Sequence, residues 1–171
     1  MSREFDFLQS PVNRARVAWL LITLAWALQM TALSTSGFNS CRTRSLLVQL
    51  LTAWHIQLAP HTIGILHTLL RKLAHLTTYA VLTLLLYRTV TGRWLAWRPS
   101  IAWRCVAGAS LFALIDEFHQ LFVPERGASL LDCGIDTTGA VLAMLLLYGR
   151  WRLARESGKP LTGLTNPAVR Y

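Results

Sequence analysis

The sequence predicts an all-α membrane protein: a four-helix transmembrane bundle plus one interfacial amphipathic helix in the first outer loop. The first observation is composition, because 53% of the 171 residues are hydrophobic and only 15% are charged, against about 25% charged residues in a typical soluble domain. The second is charge distribution, since the 17 Lys and Arg residues lie in clusters between long apolar runs. Together they exclude a disordered chain and argue against nucleic-acid binding, which needs one exposed basic patch.

The first span is predicted over residues 17–34. About 20 apolar residues cross the hydrocarbon layer as a helix, and no charged residue lies between Val17 and Cys41. A cleaved signal peptide is the alternative interpretation of this segment. The apolar stretch is longer than the core of a signal peptide, and sixteen residues precede it, so we expect a span that is retained.

Three further spans are predicted over 68–87, 101–123 and 130–148. Each is less apolar than the first because polar residues lie near its ends. Residues 45–58 contain no Asp, Glu, Lys or Arg, but their polar residues recur every three to four positions, as in an amphipathic helix that lies in the interface. A fifth span over 45–70 is the alternative, which Pro60 and its polar neighbours disfavour.

The positive charges predict the orientation of the bundle. With four spans, twelve of the seventeen basic residues lie on the side of the two termini and five lie on the other side. Positively charged loops stay in the cytoplasm, so we expect a multi-pass protein of the cell inner membrane with cytoplasmic N and C termini. Residues 1–155 then form one membrane domain, and residues 156–171, which contain Gly and Pro, form a flexible cytoplasmic tail.

The three cysteines, Cys41, Cys105 and Cys133, show no metal-site spacing. Cys41 and Cys133 are both placed toward the outer side, where a disulfide is chemically feasible. Nothing in their spacing requires one, and the sequence leaves their pairing open.

Polar residues form one stripe on each of the last three predicted spans, because residues three, four or seven positions apart share a helix face. The stripes consist of Lys72, His75 and Tyr79 on the second span, Asp116, His119 and Gln120 on the third, and Asp132 and Asp136 on the fourth. An ionisable group in a span costs about 2.5–3.5 kcal/mol on insertion scales, so it faces the bundle interior or water and pairs. We therefore expect the three stripes to surround one pocket that opens to the outer side.

These polar residues also occur in a recognisable order: RKLAH followed by Tyr79, then DEFHQLFVPERGASLLD, then Asp136, Thr137 and Gly139. In this order the chain resembles the VanZ-like family of small bacterial membrane proteins. The matching positions are Lys72, His75, Tyr79, Asp116, Glu117, Gln120, Arg126, Ser129, Asp132 and Gly139. Asp136 and Glu125 depart from the family, which often has Asn and Gly there. The resemblance implies a link to low-level teicoplanin resistance and implies no particular reaction.

Two groups of candidate site residues follow from the stripes and the resemblance. The candidate catalytic residues are Asp116, Glu117, His75 and Lys72. The candidate substrate-binding residues are Arg126, Tyr79, His119, Gln120, Asp132 and Asp136. A carboxylate can act as a general base with a histidine as its partner in proton transfer, and a pair of cations suits a phosphate or carboxylate head group.

The first functional hypothesis is therefore a protein of the cell envelope that binds or modifies a lipid-linked intermediate bearing phosphate or carboxylate. Its expected partner is a membrane lipid or a lipid-linked envelope precursor, with no nucleic acid, and no oligomeric state is predicted. No residue spacing is diagnostic of a metal site. The cofactor is left open, with Mg²⁺ as the ion that carboxylates suit best.

Three other interpretations stay open. A non-catalytic accessory or scaffold protein would bind a glycopeptide or an envelope-synthesis complex through its outward-facing acids. An ion or proton transporter would use the acid and histidine stripes, although the inner halves of spans two to four lack polar residues that would complete a path. In the third, the stripes only hold the bundle together.

Overall fold

The computed structural model describes residues 11–33, 40–92, 97–122 and 129–157, and within these ranges the chain forms five helices and no strand. The helices are α1 (Pro11–Leu33), α2 (Ser40–Ala53), α3 (Pro60–Thr91), α4 (Pro99–Gln120) and α5 (Leu130–Glu156). The predicted all-helical class is confirmed. Arg126, which comes between α4 and α5 in the sequence, and residues 158–171, the predicted tail, lie outside the described ranges.

Helices α1, α3 and α5 are longer than the apolar segments that predict them, whereas α4 ends at Gln120, before the end of the predicted span 101–123. The predicted span 68–87 is the middle of α3, which begins at Pro60, and the predicted span 130–148 is the first part of α5. Apolar windows mark only the part of a helix that suits hydrocarbon, whereas the backbone hydrogen bonds continue into polar sequence. The predicted segment 45–58 is displaced by about one turn from α2.

Proline and glycine set the two ends of α3. Pro60 occupies the first helical turn, where its missing N–H costs no hydrogen bond, so it starts the helix and does not interrupt it. Gly92 ends the helix with a φ of 68° and donates its backbone N–H to the carbonyl of Arg88 over 2.9 Å. This left-handed conformation favours glycine at a helix C-terminus. Gly92 therefore marks the end of α3.

The core lies where α3, α4 and α5 pack against one another, and α3 and α5 share the most extensive interface. On α4 and α5 the buried face is built from small residues, among them Ala109, Ala113 and Ala140, which are fully buried. Small residues let helices approach closely in a membrane. Larger side chains fill the core from α3, including Tyr79, Leu82 and Tyr87.

Helix α1 packs on the outside of α3. The hydroxyl groups of Thr23 and Thr89 lie 3.0 Å apart, and Trp26 Nε1 donates to the Thr78 carbonyl over 3.2 Å. Nearby, the guanidinium of Arg88 lies 5.0 Å from the ring centre of Trp19, within the range of a cation–π interaction. These polar contacts add to the apolar packing that holds α1 against α3.

Three of the described helices, over Asn13–Ala32, Pro60–Thr91 and Leu130–Glu156, are long and apolar enough to cross a membrane. These helices indicate a membrane protein. With 32 residues, α3 is about 48 Å long and exceeds a hydrocarbon layer of about 30 Å. Helix α4 is not among the three, because Arg104, Asp116 and Glu117 reduce its mean hydropathy.

Candidate functional site

One ion pair and one contact between a histidine and a carboxyl group join α3 to α5. Arg71 Nη2 lies 3.1 Å from Asp132 Oδ2, and His75 Nδ1 lies 3.2 Å from Asp136 Oδ1. Within each helix the two residues are four positions apart, so the contacts follow one another at a spacing of one helical turn. The facing sides of α3 and α5 therefore carry two matched polar pairs.

Burial changes from the first pair to the second. Arg71 has 49% of its side chain exposed, whereas the residue Asp136 is 1% exposed and His75 lies between these extremes. The polar residues therefore begin at the protein surface beside Arg71 and continue inward along α3.

Helix α4 adds a third buried polar face at the same place. Asp116, Glu117 and Gln120 are all buried, and Gln120 Nε2 donates to Asp116 Oδ2 over 3.1 Å. Glu117 Oε2 accepts the backbone N–H of Ser129 over 2.7 Å. Ser129 is the residue that precedes α5, and its side chain makes no capping hydrogen bond. Glu117 thereby ties the end of α4 to the start of α5.

The carboxyl groups of α4 and α5 interact electrostatically. Glu117 interacts with Asp116, Asp132 and Asp136, and Asp136 interacts with the other two aspartates as well. We call the set formed by these acids and their neighbours the polar cluster. Its members are Arg71, His75, Tyr79, Asp116, Glu117, Gln120, Asp132 and Asp136.

Tyr79 lies at the inner end of the polar cluster, one turn beyond His75. The residue is 2% exposed, and its hydroxyl has no hydrogen-bond partner among the described residues. The hydroxyl interacts electrostatically with Asp136, Asp116 and Glu117. Since an unpaired buried hydroxyl costs free energy, it is a group that a bound ligand could satisfy.

The remaining predicted residues lie in different surroundings. Lys72 is half-buried, and within the described part of the chain no hydrogen bond or ion pair of its side chain is found. Its neighbour Arg71, which is not among the predicted site residues, makes the contact with α5. His119 is exposed and does not join the buried residues of α4.

Spacing offers a signal for Arg71. Arg71, His75 and Tyr79 follow each other at intervals of four, which places all three on one face of α3. Lys72 lies three positions from His75 and seven from Tyr79, and this spacing as well as the resemblance predicted it as a site residue. The adjacent cations differ by about 100° around the helix axis, and only one of them can face Asp132.

The polar cluster provides groups for proton transfer and for anion recognition. Contact with Asp136 fixes the Nδ1 side of His75, which leaves Nε2 to give or take a proton. Arg71 supplies a planar donor suited to phosphate or carboxylate. In the described ranges no group of three or more His, Cys, Asp or Glu side chains is arranged to hold a metal ion, and Cys133 is a buried free thiol.

Comparison with known protein families identifies a match that covers most of the chain. The sequence model of a family described as VanZ/LLP1 matches residues 17–153, which include most of α1 and most of α5. This is a longer part of the chain than the motifs from Arg71 onward, so the resemblance extends to the first helix. No curated protein and no solved structure matches the chain.

Proposed function

The chain belongs to the VanZ/LLP1 family, and we propose that it is a cell-envelope protein whose polar cluster binds or modifies a lipid-linked intermediate bearing phosphate or carboxylate. The observation that carries the proposal is the meeting of buried ionisable side chains from three separate helices. Each such group costs about 2.5–3.5 kcal/mol to insert, whereas polar contacts between membrane helices average about 0.6 kcal/mol. Structural cohesion alone is therefore a weak reason to place so many of them together.

The proposal includes α4 as a fourth span. Its 22 residues reach about 33 Å, enough for the hydrocarbon layer, and it contacts both α3 and α5. Its acids face those helices, while its outer surface is apolar, with Leu111, Leu114, Ile115 and Phe118 exposed. With four spans both termini lie on one side of the membrane, and the distribution of Lys and Arg favours the cytoplasm as that side. In this arrangement the protein spans the inner membrane, and the exposed end of the polar cluster, at Arg71, lies on the side away from the cytoplasm.

In this function the polar cluster acts on the head group of its ligand. Arg71 at the surface, with Lys72 beside it, attracts the anionic group, and Tyr79 donates its unpaired hydroxyl from the inner end. His75, oriented by Asp136, transfers a proton through Nε2. Asp116 and Glu117 serve as the carboxylates that accept a proton from the opposite helix. Arg126, which lies outside the described residues, is proposed as a further cation for the same head group.

The test compares lipid-linked envelope precursors in cells without the protein and in cells that carry the wild type, His75→Gln or Asp116→Asn. We expect the deletion to change the precursor pool, and each variant to behave like the deletion at normal membrane abundance. The matched control is His61→Gln, which changes an exposed histidine of the same helix and should restore the wild-type pool. A pool that the deletion leaves unchanged contradicts the proposal.

One observation favours a second candidate function. Carboxyl groups outnumber cations among the described members of the polar cluster, which suits a cationic or amide-rich ligand. A non-catalytic accessory protein that binds a glycopeptide would use this excess. In that case deletion changes glycopeptide susceptibility but not the precursor pool, and the purified protein binds teicoplanin directly.

A further inference from the structure

Aromatic side chains gather at the end of α5 that lies farthest from the polar cluster. The rings of Trp97 and Tyr148 are 5.1 Å apart between centres, and those of Tyr148 and Trp151 are 5.9 Å apart. Trp97 precedes α4, and its ring also lies 6.3 Å from that of Tyr87 at the end of α3. One continuous row of rings therefore joins the same end of three helices.

Two arginines complete this surface. The guanidinium of Arg155 lies 5.5 Å from the ring centre of Trp151, and Arg152 Nη2 contacts Glu156 Oε1 at 3.0 Å. Tyr148, Trp151 and the three charged residues line an open depression of about 480 Å³ on the surface of α5. We call Trp97, Tyr148, Trp151, Arg152 and Arg155 the cation–aromatic cluster.

The length of α5 places the cation–aromatic cluster at a membrane boundary. The helix has 27 residues and is about 40 Å long, which exceeds the hydrocarbon thickness of about 30 Å by several residues. Because Asp132 lies in its first turn, the excess falls at its other end, where Trp151 to Glu156 lie. Tryptophan and tyrosine concentrate at this depth, and lipid phosphates are the anions found there.

We propose that the cation–aromatic cluster binds the phosphate group of an anionic membrane phospholipid. Arg155 is held by the face of Trp151 and offers its remaining N–H donors, as a bidentate phosphate site needs. Arg152 lies on the same helix face and supplies the second cation. Glu156 is an internal competitor for Arg152, so the site favours lipids whose net negative charge can displace that contact. The rings of Trp97 and Tyr148 support the glycerol and upper acyl region.

The experiment measures lipids that remain bound to the purified full-length protein by native mass spectrometry. Phosphatidylglycerol, phosphatidylcholine or inorganic phosphate is added to the detergent-solubilised protein. We expect phosphatidylglycerol to be retained in preference to phosphatidylcholine. Arg152→Gln and Arg155→Gln should each lower that retention about fivefold, as expected for one cation near an anionic surface. Glu156→Gln should raise it.

The control is Arg150→Gln, which removes an exposed arginine from the same part of α5 but from another face. Equal losses in this variant and in Arg155→Gln would show attraction by overall charge and would overturn the proposal. Equal retention of the two lipids, or displacement of phosphatidylglycerol by millimolar inorganic phosphate, would overturn it too. A variant that unfolds is recognised by its melting temperature in phosphatidylcholine, and Trp151→Leu, which keeps all the charges, then tests the same site.

Discussion

Gly139 of α5 lies directly against the backbone of Leu76 in α3, so closely that a Cβ atom at position 139 would overlap the Leu76 carbonyl oxygen. This close approach lies one turn from the contact between His75 and Asp136. We expect Gly139→Ala to push the two helices apart and to cost about 1–3 kcal/mol of stability, as overpacking does. Thermal unfolding in detergent measures the loss.

Gly134 provides the control for this prediction. It lies in the same helix, and a Cβ atom there would meet nothing within 4 Å. Gly134→Ala should therefore keep or slightly raise the melting temperature, because alanine favours the helix. Equal melting temperatures of the two variants would mean that the approach of α3 and α5 at Gly139 does not limit stability.

The close packing of Gly139 against Leu76 also shows which features of the site the sequence could predict and which it could not. Apolar runs predict helices, and a spacing of four correctly pairs Asp116 with Gln120. The rotation of each helix about its axis, however, is set by packing between helices, such as that of Gly139 on Leu76. This rotation decides whether Arg71 or Lys72 faces Asp132, and it could not be predicted from the sequence alone.

On α4, too, the sequence does not reveal which residues the neighbouring helices bury. Asp116, Glu117 and Gln120 lie within about 100° of one another around the axis, and packing buries that sector. His119 also lies three positions from Asp116, but on the opposite side of it from Glu117, and it is exposed. A spacing of three or four identifies neighbours on a helix, whereas the edge of the buried sector depends on the partner helix.

The contact between Arg71 and Asp132 predicts an asymmetry between its partners. Arg71→Ala leaves the buried Asp132 without its cation, so we expect a loss of stability below the roughly 3–5 kcal/mol typical of a fully buried pair, because Arg71 is half-exposed. Replacing both by alanine should recover part of that loss. Thermal unfolding of the single and double variants measures it, and additive losses would show that the side chains do not interact.

The exposed ion pair of Arg152 and Glu156 on α5 is a control for the contact between Arg71 and Asp132. Arg152 and Glu156 form an exposed pair four positions apart, and such pairs contribute little to stability. Glu156→Gln should therefore leave the melting temperature in phosphatidylcholine unchanged. A change as large as that of Arg71→Ala would indicate that general charge balance, and not burial, controls both contacts.

The number of spans predicts where the two termini lie. If α4 crosses the membrane with the other three long helices, tags at the N and C termini lie on the same side and resist protease in intact cells. If α4 lies in the interface, three spans place the tags on opposite sides. Protease protection of each tag, before and after the membrane is opened, distinguishes the two arrangements.

The buried hydroxyl of Tyr79 separates a structural role of the polar cluster from a functional one. Because this hydroxyl has no hydrogen-bond partner among the described residues, Tyr79→Phe removes a desolvated group without breaking a contact, and stability should stay level or rise by about 1 kcal/mol. If the hydroxyl donates to a ligand, the same variant should lose the effect of the protein on the precursor pool. Under the proposed function, Tyr79→Phe therefore keeps or gains stability in thermal unfolding but loses its effect in the precursor analysis. Unchanged precursors beside unchanged stability would assign Tyr79 to packing alone, where its ring already lies 6.2 Å from that of Phe112.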